Sequence, residues 1–179
     1  MLEILIPETE FFDNEKQEFV KIRRQTLKLE HSLLSLSRWE SNHCKAYLDP
    51  RIEKTPEEAF DYIRCMCLDK NINPNVFLAL TEKDVKEIQA YTTHPMTATT
   101  FSNKQQKHGR VMTAEMFYYA MTAYNIPFAC EKWHLNRLLA LINVCGDMNK
   151  PSGKMSNKEK INKYAALNKA RRAKYHSRG

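Results

Sequence analysis

The stretch Ile126-Pro-Phe-Ala-Cys-Glu-Lys-Trp-His-Leu-Asn-Arg-Leu-Leu-Ala-Leu-Ile-Asn-Val-Cys-Gly146 is the longest strongly apolar segment of the chain, and its reading decides the fold. Leu135, Leu138, Leu139, Ile142 and Cys145 recur at helical spacing and define one apolar face. Pro127 has no N–H to give to a helix interior, so the chain enters extended through Ile126, Pro127 and Phe128. Gly146 stands where a left-handed C-cap would end the helix. Trp133 and Phe128 add bulk near the start. The expectation is a central core helix against which the other elements pack.

Upstream of it the helical punctuation is clear. Thr113 precedes a helix through Tyr124, with Met116, Tyr119, Ala120 and Ala123 or Tyr124 expected inward. Thr81-Glu-Lys-Asp84 caps a helix carried by Val85, Ile88 and Tyr91, and Asn73-Pro74 opens a short helical turn through Leu80. Thr55-Pro-Glu-Glu58 combines an N-cap, a first-turn proline and a capping-box glutamate, with Phe60, Ile63 and Cys67 as the apolar face that follows. Leu33, Leu36, Trp39 or Glu40, and His43 suggest a helix over 32–46, with Ser32 or Ser35 as cap, while a strand continuing from Leu29 stays open because the period is ambiguous. The first thirty residues read as short β-prone runs, Leu2–Ile6, Thr9–Phe12, Phe19–Ile22 and Gln25–Glu30, with a turn at Asp13-Asn-Glu15. The fold class is therefore α+β, mainly α: an N-terminal β-hairpin or meander, then about six helices around the central one, and a basic C-terminal helix.

Charge divides the chain. Residues 149–179 hold ten Lys or Arg against one acid, Glu159, for a net +9, whereas the first 148 residues carry eighteen basic and twenty acidic groups, for −2. The domain reading follows: 1–148 as a globular body, 149–179 as a basic linker and helix begun by the capping box Ser156-Asn-Lys-Glu159. Such asymmetry asks for an acidic partner, polyanion or protein. No run approaches the ~18 apolar residues of a membrane span, so no membrane partner is expected. Met1-Leu-Glu-Ile-Leu-Ile-Pro7 lacks a basic n-region and a small-residue cleavage site, so no signal peptide is expected. Five cysteines without framework spacing read as reduced thiols.

Catalytic and metal chemistry finds little to stand on. Glu131-Lys-Trp-His134 is half of a di-iron carboxylate motif, which needs a second copy and two further glutamates. Cys65-Met-Cys67 with His43 and Cys44 lacks the repeated ligand pairs of a zinc finger. There is no nucleophile elbow, phosphate-binding loop or dinucleotide fingerprint. The expectation is no enzyme, no catalytic residue, no cofactor and no metal.

Four stretches carry a family likeness: Leu29-Glu-His-Ser-Leu-Leu-Ser-Leu-Ser-Arg-Trp-Glu40, Pro95-Met-Thr-Ala-Thr-Thr-Phe101, Ile126-Pro-Phe-Ala-Cys-Glu-Lys-Trp-His-Leu-Asn-Arg137 and Ala166-Leu-Asn-Lys-Ala-Arg-Arg-Ala-Lys174. In order and spacing, from about residue 10 onward, the chain resembles the tail assembly chaperones of long-tailed, siphovirus-type bacteriophages. It departs at Ala120, where many relatives carry a bulky aromatic, and at Ala46-Tyr47, in place of a Pro-Phe pair. The resemblance implies a non-enzymatic binder that coats the tape measure protein and helps tail tube subunits assemble, with the major tail protein as a second partner. Its place would be the host cytoplasm during assembly, and a homo-oligomer is compatible with it.

The partner-contact candidates are the cations Lys169, Arg171, Arg172 and Lys174, followed by Trp39, Met96 and Phe101. Two other classes stay open at this point: a structural protein of the tail or head-tail connector, kept in the virion, and sequence-blind nucleic-acid binding through the basic tail. For the last, only Tyr164 and Tyr175 offer stacking.

Overall fold

The structure, a computed structural model, describes residues 1–13, 17–69, 72–100 and 111–149, with 161–162, 164–168 and 171–172. Four strands open the chain: β1 (Leu2–Ile6), β2 (Thr9–Asp13), β3 (Glu18–Ile22) and β4 (Gln25–Leu29). β1 pairs antiparallel with β4, and β2 with β3. Both ladders keep one register, from Leu2 opposite Leu29 down to Asp13 opposite Glu18, so the strands form a single long hairpin and not a meander. Pairing lapses where Pro7 and Glu8 face Arg23 and Arg24, because proline has no N–H to lend to a ladder. Alternation sends Ile4, Ile6, Val20, Ile22, Leu27 and Leu29 inward. The expected turn at Asn14 and Glu15 lies outside the described residues.

The helices follow: α1 (Leu33–His43), α2 (Pro56–Met66), a 3-10 segment (Pro74–Ala79), α3 (Glu82–Thr93), α4 (Ala114–Ala123), a second 3-10 segment (Phe128–Lys132) and α5 (Leu135–Met148). Antiparallel strands followed by helices make this an α+β fold, mainly α. Two full capping boxes form as their sequences require, Thr55 with Glu58 on α2 and Thr81 with Asp84 on α3. Ser32 caps α1 by accepting from the Ser35 N–H.

Two apolar clusters fill the body. One lies under the hairpin, where Ile6, Leu27 and Leu29 meet Trp39 of α1, Met66 of α2, Phe77 and Ile88. The other joins Leu33 and Leu36 of α1 to Phe117 and Met121 of α4 and to Leu135, Leu138 and Ile142 of α5. α5 is thus a core helix, as its periodicity requires. α1, however, is the element that enters both clusters, because its buried positions spread over a wide arc, from Leu33 and Leu36 to Trp39.

Several local readings need correcting. α5 runs through Gly146 to Met148, since glycine is tolerated in a helix's final turn. The inward face of α4 is Ala114, Phe117 and Met121, one residue out of phase with the expected stripe, and Tyr119 is 76% exposed. The almost wholly apolar run Ala114-Glu-Met-Phe-Tyr-Tyr-Ala-Met121 offers no polar face to fix the phase. On α2 the buried residues are Tyr62, Ile63, Cys65 and Met66, with Phe60 only half-buried. Phe128 is exposed on its 3-10 segment.

The chain divides into two compact units, Met1–Cys145 and Gly146–Gly179. In the second, residues 161–162, 164–168 and 171–172 are helical. No helix among the described residues is long and apolar enough to cross a membrane.

Candidate functional site

The residues singled out from sequence go to three different places. Trp39 is not available to a partner: it is fully buried, and its indole N–H donates to the Glu58 carbonyl at 2.7 Å. Around it, Tyr47 stacks on Tyr62 with ring centroids 3.8 Å apart and meets Trp39 edge-on at 4.9 Å. The indole anchors α1 on α2, which corrects its assignment as a contact residue. Met96 is half-buried and adopts a left-handed backbone, φ 50°, just after α3. Arg171 and Arg172 are helical and exposed in the second unit. Lys169, Lys174 and Phe101 lie outside the described residues.

The Glu131–Arg137 stretch proves to be a joint. The His134 imidazole donates from Nε2 to the Tyr91 carbonyl (3.1 Å) and accepts at Nδ1 from the Asn136 N–H (3.3 Å). One ring therefore closes the C-terminus of α3 and the N-terminus of α5, where orphan carbonyls and N–H groups both need partners. The Asn136 amide adds donors to the Thr92 and His94 carbonyls. Glu131 accepts from the Tyr118 hydroxyl at 3.0 Å, and Arg137 lies 4.2 Å over the Trp133 ring. Glu131 and His134 are thus turned to different partners. Among the described residues no three His, Cys, Asp or Glu side chains gather as a ligand set.

A buried polar cluster adjoins this joint. The His31 ring, 4% exposed, meets the His134 ring at 5.1 Å, and its Nδ1 lies 2.7 Å from the Tyr62 hydroxyl. The Leu135 N–H donates to the His31 carbonyl, tying the lead-in of α5 to that of α1. Glu30 accepts from the Tyr91 hydroxyl (2.6 Å) and pairs with the Met1 ammonium (2.7 Å). Burial pushes His31 down to about 4, with the neighbouring His134 adding to the shift, and burial also lowers His134. Tyr62 and Tyr91 are raised, chiefly by burial, and the Cys65 thiol is pushed up to about 11 for the same reason. These groups are held neutral at neutral pH; a thiol near 11 is not the thiolate that nucleophilic chemistry needs.

Sequence reasoning missed Glu40. This buried carboxylate accepts from the Tyr47 N–H (2.9 Å) and from the Ala114 N–H (2.7 Å), so it caps α4 in place of Thr113, which makes no side-chain cap bond. Nothing local marks it, since its partner lies 74 residues away. Sequence reasoning also missed Arg38 and Arg64, which face a groove between α1 and α2. Comparison with known protein families, curated proteins and solved structures gives no match.

Proposed function

We propose that this chain is a non-enzymatic tail assembly chaperone of a long-tailed bacteriophage, which binds the tape measure protein and assists assembly of the tail tube. The structural observation that supports the reading is the second unit. Its residues 161–162, 164–168 and 171–172 are all exposed, and among them Ile161 (67%), Tyr164 (66%) and Leu167 (44%) lie on the same segment as Arg171 and Arg172. Apolar side chains on a cationic helix suit a partner that is itself helical, apolar on one face and acidic. A long rod of that kind exposes apolar stripes and aggregates unless they are shielded.

Co-expression with the tape measure protein encoded beside it tests the reading. The expected result is co-purification and a gain in that protein's solubility, both weakened when Lys169, Arg171, Arg172 and Lys174 are all changed to Glu in the full chain. No co-purification and no gain in solubility would sink the proposal. Stoichiometric presence in mature virions would favour the structural-protein class instead.

A further inference from the structure

We propose that the groove between α1 and α2 is a second binding site, taking a protein segment that presents acidic side chains to Arg38 and Arg64. It goes beyond the tail assembly reading, which places the partner contact on the second unit, and it does not depend on that reading. α1 and α2 run antiparallel: Arg38 reaches the C-terminal end of α2 while His43 and Lys45 reach Asp61 and Glu58 nearer its start. The groove between them has a volume of about 560 Å³. Ser37, Arg38, Ser41 and Asn42 line it from one face of α1, and Arg64 faces them from α2.

Three features give the groove its chemistry. First, neither guanidinium is neutralised. Arg38 lends one nitrogen to the Cys65 and Cys67 carbonyls (3.4 Å each), and Arg64 rests 5.3 Å from the Phe60 ring centre. Among the described residues neither has a carboxylate within ion-pair distance. Second, the one lining carboxylate, Asp61, is partly engaged: its Oδ2 holds His43 at 2.9 Å and takes the Cys65 thiol at 3.9 Å. Against it stand two guanidiniums, two serine hydroxyls and an asparagine amide. Third, Glu57 follows Arg64 and Asp61 along the same face of α2 toward its start, while Glu58 is held by Lys45. A continuous polyanion following that face would meet the Asp61 and Glu57 carboxylates, whereas separate carboxylates spaced on a peptide can avoid them. A planar guanidinium matches a carboxylate bidentately, and two of them on facing helices suit two acidic side chains of one segment.

The basic tail also attracts acids, so the test must resolve the site. Full-length 15N-labelled protein is titrated with a short helical peptide carrying glutamates four residues apart, and with its glutamine counterpart. The Arg Nε–H signals and the amides of residues 34–42 and 61–65 are followed. The glutamate peptide should shift these signals, and the glutamine peptide should leave them in place. Arg64→Gln, which removes no backbone contact, should weaken binding at the groove roughly tenfold, the size of one charge-assisted hydrogen-bonded pair. Arg38→Lys should weaken it less than Arg38→Gln; if Arg38→Gln loosens the end of α2, the Arg64→Gln result decides. Shifts confined to residues after Gly146, or an unchanged affinity in Arg64→Gln, would overturn the site. Inorganic phosphate or single-stranded DNA shifting the groove signals as strongly as the peptide would overturn the choice of ligand.

Discussion

Lowering the pH should unlock the joint at His31, and the size of the effect can be worked out. The His31 ring is buried between the Tyr62 hydroxyl and the His134 ring, with Glu30, the Met1 ammonium and Tyr91 forming the neighbouring polar cluster. Its value falls from an ordinary 6.5 to about 4. Above pH 6.5 the ring is neutral in both folded and unfolded chains and contributes no pH dependence. Below 6.5 the unfolded chain takes up a proton that the folded chain refuses until about pH 4, so stability drains through that window and then levels off. At about 1.4 kcal/mol per pH unit, the full loss is about 3 kcal/mol. Most of it is complete by pH 4.5.

The assay is urea unfolding of the wild type and His31→Asn from pH 7.5 to pH 4.5. Asparagine keeps an acceptor near the Tyr62 hydroxyl but cannot be protonated. Taking the difference removes groups that do not touch His31, including Glu40, whose raised carboxyl acts in the opposite sense. Folded Glu40 keeps its proton to higher pH than the unfolded chain does, so its contribution is lost as pH rises through the raised value. The wild type should lose about 2–3 kcal/mol relative to His31→Asn on going to pH 4.5. A difference that stays flat across the range would refute the argument that burial holds this ring neutral.

Two further outcomes follow from buried polar contacts. Glu40→Ala strands the Tyr47 and Ala114 N–H groups and should cost about 2–4 kcal/mol, with Glu40→Gln costing roughly half because one acceptor survives. Amide exchange at residues 114–117 should rise first, and unchanged protection there would show that α4 does not rely on this cap. Trp39→Ala should cost about 3–5 kcal/mol by emptying the space under the hairpin. Trp39→Phe should cost about 1–2 kcal/mol for the lost bond to Glu58, and a Trp39→Phe protein of normal stability that captures partner poorly would return this residue to the interface.

What could be read from the sequence was whatever is set by neighbours along the chain. Thr55 with Glu58 and Thr81 with Asp84 close their capping boxes within one helical turn, and alternation in β1 and β4 fixes which side of the hairpin is buried. The apolar spacing of Leu135, Leu138 and Ile142 fixes a core helix, and the +9 of residues 149–179 marks the cationic arm. Contacts between distant segments left no such mark. The phase of α4, the burial of Trp39, the Glu40 cap and the facing of Arg38 with Arg64 each depend on which helix lies alongside. The Glu131–Arg137 stretch shows both sides of this. Its sequence sets it apart, but only the packing of α5 against α3 and the lead-in to α1 makes His134 and Asn136 the pins of a joint. A side chain's partner across the core is chosen by geometry that local propensity does not encode.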